Sequence, residues 1–209
     1  MVELDFLQFS NTFLLLLVLL NPFVLSVYLL DLIRGLDLRM FSSLLMRAFL
    51  ISLSVFLAFA WFGEKIFDSV LQVRFLAFMI FGGIIFLIVG IRLTLGMGSP
   101  MQSINLHSHE VAGAIAMPFI VGPGTISAAV LAGSRLGAVG GALSITLAMA
   151  VALASLILLK MLYDWVQTRH ERYVRKYIEV AGRATALFTG SFGVDMILKG
   201  IERWWEWMA

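Results

Sequence analysis

Five stretches of the chain carry no charged side chain, and most of them are long enough to cross a lipid bilayer. They are residues 6–30, 48–63, 75–91, 111–134 and 136–159 of a chain of 209 residues. A helical crossing needs about 20 mostly apolar residues, and helices satisfy their own backbone hydrogen bonds in lipid. Only 13% of the residues are charged, against about 25% in soluble domains. The pattern predicts an all-α membrane protein, with residues 1–209 forming a single transmembrane domain.

A sixth span is predicted near residues 181–201, although Asp195 and Lys199 lie within it. The tryptophans that follow stand where an aromatic belt is expected at the membrane surface. They are Trp204, Trp205 and Trp207. We therefore expect six transmembrane helices.

The positions of the basic residues predict the orientation. Ten of the 15 Lys and Arg residues fall on one predicted side, in residues 31–47, 92–110 and 160–183. Basic loops stay in the cytoplasm, so we expect a multi-pass protein of the plasma (inner) membrane with both termini outside, in the periplasm. We expect the basic loop 164–178 to contact anionic membrane lipids. The net charge of +2 is too small and too scattered to indicate nucleic-acid binding.

Two spans contain a proline motif near their middle. The first reads Leu-Asn-Pro-Phe at residues 20–23, and the fourth reads Val-Gly-Pro-Gly at residues 121–124. Proline removes a backbone donor and clashes with the preceding turn, while Gly and Asn tolerate non-helical dihedral angles. The motifs predict that helices 1 and 4 are interrupted near mid-membrane.

The two motifs also align with each other. Placing Pro22 on Pro123 pairs Ser26 with Ser127, four positions later in each case. Two groups of three helices must insert in opposite orientations. Inverted repeats with paired interrupted helices are typical of secondary transporters, whose substrate site lies at the repeat interface.

We accordingly predict two inverted three-helix repeats. Residues 1–95 would hold helices 1–3, residues 111–204 would hold helices 4–6, and residues 96–110 would link them.

A helix that restarts within the membrane exposes backbone N–H groups and the positive end of its dipole. Two such starts would together attract a carboxylate. The predicted substrate-binding residues are Asn21, Pro22, Ser26, Gly122, Pro123, Gly124, Thr125 and Ser127. The alternative is that these residues only cap the kinks and satisfy freed backbone groups.

The charged and metal-ligating side chains give weaker signals. An ionisable residue within a span indicates a functional site by default, so Asp195 is a candidate coupling-ion site, although Lys199 can pair with it. Arg183 either faces the cavity or extends to the membrane surface. His107 and His109 lack further ligands for a metal, and the chain has no cysteine. We predict no metal, no cofactor and no catalytic residue, and hence no enzyme.

The residues around these motifs resemble the MarC family of six-span membrane proteins. The first span shares Asn21-Pro22, and the third shares the Gly-Gly-Ile-Ile run at residues 82–85. The fourth span shares Met-Pro-Phe-Ile-Val-Gly-Pro-Gly-Thr-Ile-Ser at residues 117–127, which is the most specific part. The family includes the SnatA small neutral amino acid transporters, so the resemblance implies transport of glycine, alanine or serine.

The leading hypothesis is therefore a secondary transporter of small neutral amino acids with alternating access, coupled to protons or sodium, and able to form a homo-oligomer. No Walker-type ATP site is present. Two alternatives remain open. One is an exporter of a wider range of small molecules or drugs, and the other is a membrane scaffold that does not transport.

Overall fold

The computed structural model describes residues 6–63, 65–67, 72–95, 111–116 and 120–208. Within these ranges all regular secondary structure is helical. The helices are α1 (Phe6–Leu20), α2 (Pro22–Tyr28), α3 (Leu30–Gly35), α4 (Leu38–Phe62), α5 (Phe75–Thr94), α6 (Val111–Ile115) and α7 (Pro123–Met208).

Four helical stretches in the described part are long and apolar enough to cross a membrane. They are Phe6–Ser26, Leu38–Phe62, Phe75–Arg92 and Pro123–Val166. The prediction of an all-α protein with several membrane spans is confirmed. The number of six spans and the inverted repeat stay predictions, and the predicted linker 96–110 lies outside the described residues.

Local signals explain where several helices begin and end. Gly63 ends α4 with a φ of 63°, a conformation that glycine adopts without steric cost. Its N–H closes the helix by donating to the Phe59 carbonyl. Asp37 precedes α4 in extended conformation, and Arg92 lies in the last turn of α5, where a positive charge suits the helix dipole.

The long helix α7 is not one straight rod, because the chain reverses at Gly137. This glycine has a φ of 70°, which is outside helical geometry. A Cβ atom on Gly141 would lie 2.9 Å from the Ala132 carbonyl oxygen. In a straight helix those residues would be about 14 Å apart. Residues 123–136, the first limb of α7, therefore fold back on the middle limb, residues 138–166.

A second reversal follows from contacts that the middle limb and the last part of α7 make with the same short segment of α2 and α3. Lys160 contacts Ile33 and Thr189 contacts Tyr28, yet 29 residues of straight helix would separate Lys160 from Thr189 by about 43 Å. The last limb, residues 186–208, must therefore return alongside the middle limb. α7 thus supplies three limbs that pack against α1, α2, α4 and α5.

The last limb packs closely on α5 in the antiparallel direction. A Cβ atom on Gly83 would lie 2.6 Å from the Gly193 carbonyl oxygen, and one on Gly90 would lie 2.6 Å from the Gly190 nitrogen. Small residues that let helix backbones approach are typical of helix contacts in lipid. This contact fixes the position of the last limb beside the two proline motifs.

Candidate functional site

The first proline motif separates α1 from α2 at Asn21. Asn21 has a φ of 36°, a region that Asn adopts more readily than most residues. The Asn21 side-chain oxygen accepts a hydrogen bond from the Val24 N–H at 3.2 Å, as an N-cap residue does. The first helical bond of α2 follows, from the Leu25 N–H to the Asn21 carbonyl at 3.0 Å.

The second proline motif starts α7 at Pro123, directly after Gly122. The Thr125 hydroxyl accepts the Gly122 N–H at 2.9 Å and donates to a nearby carbonyl, that of Ile120 or Gly122, each 2.9 Å away. The first helical bond of α7 runs from the Ile126 N–H to the Gly122 carbonyl at 2.9 Å.

Each break carries one half of a capping box. At the first break, the side chain of Asn21, which precedes α2, accepts from the N–H of Val24, the third residue of α2. At the second break, the side chain of Thr125, the third residue of α7, accepts from the N–H of Gly122, which precedes α7. The breaks are therefore stabilised locally, as the capping interpretation of these residues requires.

A cavity of about 100 Å³ joins the two breaks. From the first break it is lined by Asn21 and Val24, and from the second by Gly122, Gly124 and Thr125. Of the predicted substrate-binding residues, Asn21, Gly122, Pro123, Gly124 and Thr125 line this one cavity. The break residues thus have two roles in the structure, because they cap the half-helices and also form the wall of a shared space.

Backbone groups with partial positive and partial negative charge meet at the cavity. α2 and α7 begin at it, and the N–H groups of Phe23 and Gly124 precede the first helical hydrogen bonds of these helices. α1 ends at it, and its last residues, Val18, Leu19 and Leu20, line the wall. Two helix N-termini and one helix C-terminus therefore meet there, with partial positive and partial negative charge.

The carbonyl groups at the end of α1 lack their usual helical donors. Pro22 has no N–H for the Val18 carbonyl, and the Val24 N–H is donated to the Asn21 side chain instead of the Leu20 carbonyl. These acceptors lie at a cavity wall that is otherwise mostly apolar.

Several further cavity residues, from the end of α2, from α5 and from the last limb of α7, were not predicted from the sequence. They are Tyr28, Phe86, Thr189, Phe192 and Met196. The Tyr28 hydroxyl donates a hydrogen bond to the Thr189 hydroxyl at 2.5 Å, which joins the end of α2 to the last limb. A polar side chain within an apolar span could have indicated a cavity residue, but Thr189 is one of several such residues, so this signal does not single it out.

Three predicted site residues do not line the cavity. Pro22 occupies the first position of α2, where its missing donor is tolerated. The Ser26 hydroxyl donates to the Phe23 carbonyl at 2.6 Å, so its hydrogen bond is local. Ser127 lies one turn along α7 and is half-buried, away from the cavity lining.

Asp195 also lies away from the cavity. It lines a separate cleft beside the C-terminal end of α5, and its carboxylate pairs with Lys199 at 2.7 Å. Both side chains are more than half exposed, at 51% and 59%. The pairing that the sequence offered as the alternative is thus present. The Arg183 side chain lies outside the described residues.

A buried lysine holds the middle limb against α3. Lys160 is 3% exposed, and its ammonium group donates to the Ile33 carbonyl at 2.8 Å and to the Asp164 carboxylate at 2.6 Å. The described residues contain no group of three or more potential metal ligands, and His107 and His109 lie outside them.

The fold and the cavity define a polytopic membrane protein with a small cavity where α1 ends and α2 and α7 begin. Residues 6–205 match the family described as MarC family integral membrane protein, and the chain belongs to that family. It is similar to the UPF0056 membrane protein MJ1677 of Methanocaldococcus jannaschii, with 29% identity over 164 residues, which are 72% of this chain and 75% of that protein. No solved structure matches the chain.

Proposed function

We propose that the protein is a secondary transporter of small neutral amino acids in the plasma membrane. The observation that carries this proposal is the cavity at which α2 and α7 begin and α1 ends. The resemblance of the proline motifs to those of small neutral amino acid transporters supports the same substrate class. The substrate would be glycine, alanine or serine.

The substrate carboxylate would bind at the two helix N-termini. Gly124 lines the cavity, the N–H groups of Phe23 and Gly124 precede the first helical hydrogen bonds of α2 and α7, and the two helix dipoles favour a negative charge. Such a site binds an anion without an ionised side chain, which avoids the cost of placing a charged residue within the membrane.

The substrate ammonium would bind at the end of α1. The carbonyls of Val18, Leu19 and Leu20 form the negative end of that helix, and these residues line the same cavity. Half-helix C-termini and unwound carbonyls coordinate cations in other transporters with broken helices. A zwitterion would thus align with two poles of opposite sign.

The size of the cavity favours a small substrate over the drug-exporter alternative. Pockets for drug-sized molecules have volumes of about 300–1,000 Å³, whereas this cavity has about 100 Å³. A cavity of about 150 Å³ in another protein holds benzene. Phe86, Phe192 and Met196 form part of the wall, so a large side chain on the substrate would displace them.

Transport would require the site to open to each side of the membrane in turn. We propose that the segments before and after residues 96–110 act as inverted repeats, with interrupted helices 1 and 4 meeting at the site, and rock against each other. The hydrogen bond between Tyr28 and Thr189 and the contact between Lys160 and Ile33 join the two segments. Both contacts would break and reform during transport.

The coupling ion, proton or sodium, would be identified by transport assays. Asp195 lies outside the cavity and pairs with Lys199, so direct contact between this carboxylate and the substrate is not part of the proposal.

Uptake into liposomes tests the proposal. Purified protein would be reconstituted and supplied with labelled glycine, alanine, leucine or a hydrophobic cationic drug, under no gradient, a proton gradient or a sodium gradient. We expect transport of glycine and alanine, weak transport of leucine and none of the drug. Protein-free liposomes and the Gly124→Leu variant are the controls.

The outcomes separate the alternatives. Transport of the drug at the rate of alanine would support the broader exporter. Failure to move any small amino acid in either direction, by protein that is folded in the liposomes, would contradict the proposal and leave the scaffold alternative.

A further inference from the structure

The outer face of the last limb carries a charged residue, Asp195, near the middle of the apolar span against which the limb packs. We define this face by Leu187, Ser191, Asp195, Leu198 and Glu202, which recur every three or four residues and are all exposed. Residues at this spacing share one side of a helix. The cavity residues of the same limb, such as Thr189, lie on the opposite side.

The packing on α5 fixes the depth of Asp195. Gly193 contacts Gly83, which lies at the middle of the apolar span Phe75–Arg92. Asp195 is two residues further along the limb, about 3 Å along its axis. The Asp195 carboxylate and the Lys199 ammonium that pairs with it therefore lie nearer the middle of this span than its end, although Gly200, next to Lys199, packs against Leu76 at the start of the span.

An ion pair at this depth is poorly satisfied if lipid tails surround it. Asp195 and Lys199 share one contact of 2.7 Å, and about half of each side chain is exposed. An ammonium has three donors and a carboxylate about four acceptor sites, so most of their hydrogen-bonding capacity is unused in this contact. Charged residues within spans almost always face a protein interior or a water-filled cavity.

We propose that a second copy of this chain covers the outer face of the last limb and forms a two-fold symmetric dimer. The charges favour this occupant, because a face with Asp195 and Lys199 one helical turn apart is complementary to itself. In a membrane the two-fold axis runs along the bilayer normal, and the same surface patch meets on both copies. Lys199 of each copy then reaches Asp195 of the other, and four charges of alternating sign form one group.

The surface beside the ion pair also suits a helix contact. A cleft of about 590 Å³ adjoins Asp195, and Gly190 lies in its wall, where a Cβ atom would meet no other atom within 4 Å. A glycine with open space beside it allows close approach of another helix in lipid. Leu187 and Leu198 are 66% and 53% exposed, and they provide apolar side chains for the cleft of the second copy. The dimer does not depend on what the cavity transports.

Cross-linking of single cysteines tests the proposed dimer. The natural chain has no cysteine, so Ser191→Cys introduces a unique thiol on the outer face. Ser54→Cys is the matched control, because Ser54 is exposed on α4, on a different part of the surface. In liposomes with a large excess of lipid, we expect a short bis-maleimide to convert Ser191→Cys, and not Ser54→Cys, to a covalent dimer.

Exchange of charges tests the role of the ion pair. Asp195→Lys makes both members of the ion pair positive, and Lys199→Asp makes both members negative. We expect each variant alone to lower the dimer fraction by at least about tenfold, because like charges then meet. When the two variants are co-expressed with different tags, we expect the mixed dimer to be recovered by pull-down in both directions.

Three results would overturn the proposal. One is a monomeric mass for the native protein in lipid nanodiscs loaded at high protein concentration. Another is equal cross-linking of Ser191→Cys with and without the charge changes. The third is rapid labelling of Ser191→Cys by a membrane-impermeant charged maleimide with no dimer, which would indicate a water-filled cleft instead.

Discussion

Filling the cavity at Gly124 should weaken substrate binding, and the structure allows the effect to be graded. Gly124 is the second residue of α7 and lines the cavity. A Cβ atom there would have Leu19 Cδ2 as its nearest neighbour, at 3.9 Å, which is an ordinary van der Waals distance. The backbone therefore accepts a side chain, and the added atoms enter the cavity.

The volumes give the expected magnitude. If each carbon of the side chain takes about the 30 Å³ of a water molecule, Gly124→Leu adds roughly 120 Å³ to a cavity of about 100 Å³. Forcing extra atoms into a packed site costs about 1–3 kcal/mol, which corresponds to about 5- to 150-fold weaker binding. Gly124→Ala adds only about 30 Å³, so we expect glycine to bind within about threefold of its native affinity and alanine to lose more.

Equilibrium binding of labelled glycine and alanine to purified protein measures both effects. Thermal unfolding in the same detergent serves as the control, because all three proteins should retain a similar melting temperature. Native affinity in a folded Gly124→Leu protein would refute the placement of the site at the two helix breaks.

Three further predictions concern stability and are measured by thermal unfolding in detergent. Thr125→Val should destabilise the protein by about 1–2 kcal/mol, since it removes the cap of the α7 start, whereas Thr125→Ser should cost less than about 0.5 kcal/mol; equal losses would contradict the capping role. Gly83→Ala should lower the free energy of unfolding by about 1–3 kcal/mol, because the new Cβ atom would lie 2.6 Å from the backbone oxygen of Gly193. Gly113→Ala is the control: no atom lies within 4 Å of its new Cβ, so the free energy of unfolding should change by less than about 0.5 kcal/mol. Lys160→Met should cost about 1–3 kcal/mol because it leaves the α3 carbonyl unpaired, and an unchanged melting temperature would show that this contact contributes little.

The helical class and the places of the two breaks could be read from local sequence. Proline lacks an N–H wherever it stands, and Asn and Gly tolerate the dihedral angles beside it. The sequence also drew attention to Asn21 and Thr125, whose side chains cap the two half-helices. Repeat pairing was a weaker guide, because the paired serines Ser26 and Ser127 lie away from the cavity.

Other features depended on contacts between distant residues. The reversal at Gly137 lies two residues after Arg135, which separates the predicted spans 111–134 and 136–159, but the sequence did not single out Gly137 as the residue at which the chain turns. The contact of Tyr28 with Thr189 joins residues 161 positions apart, and no local pattern predicts such a pair. No local pattern predicts the burial of Lys160 either, because its position in the sequence indicated a membrane surface.

The sequence by itself determined that the chain is a helical membrane protein, and it marked the two proline motifs at which α2 and α7 begin. The first property follows from the preference of apolar side chains for lipid, and the second from the missing N–H of proline. Both causes act at single residues. Only the tertiary structure decided that the two proline motifs share one cavity and that Asp195 lies on the outer face of the last limb, away from that cavity. Those placements depend on how the limbs of α7 reverse and on where facing glycines let the helices pack, and both are properties of pairs of segments.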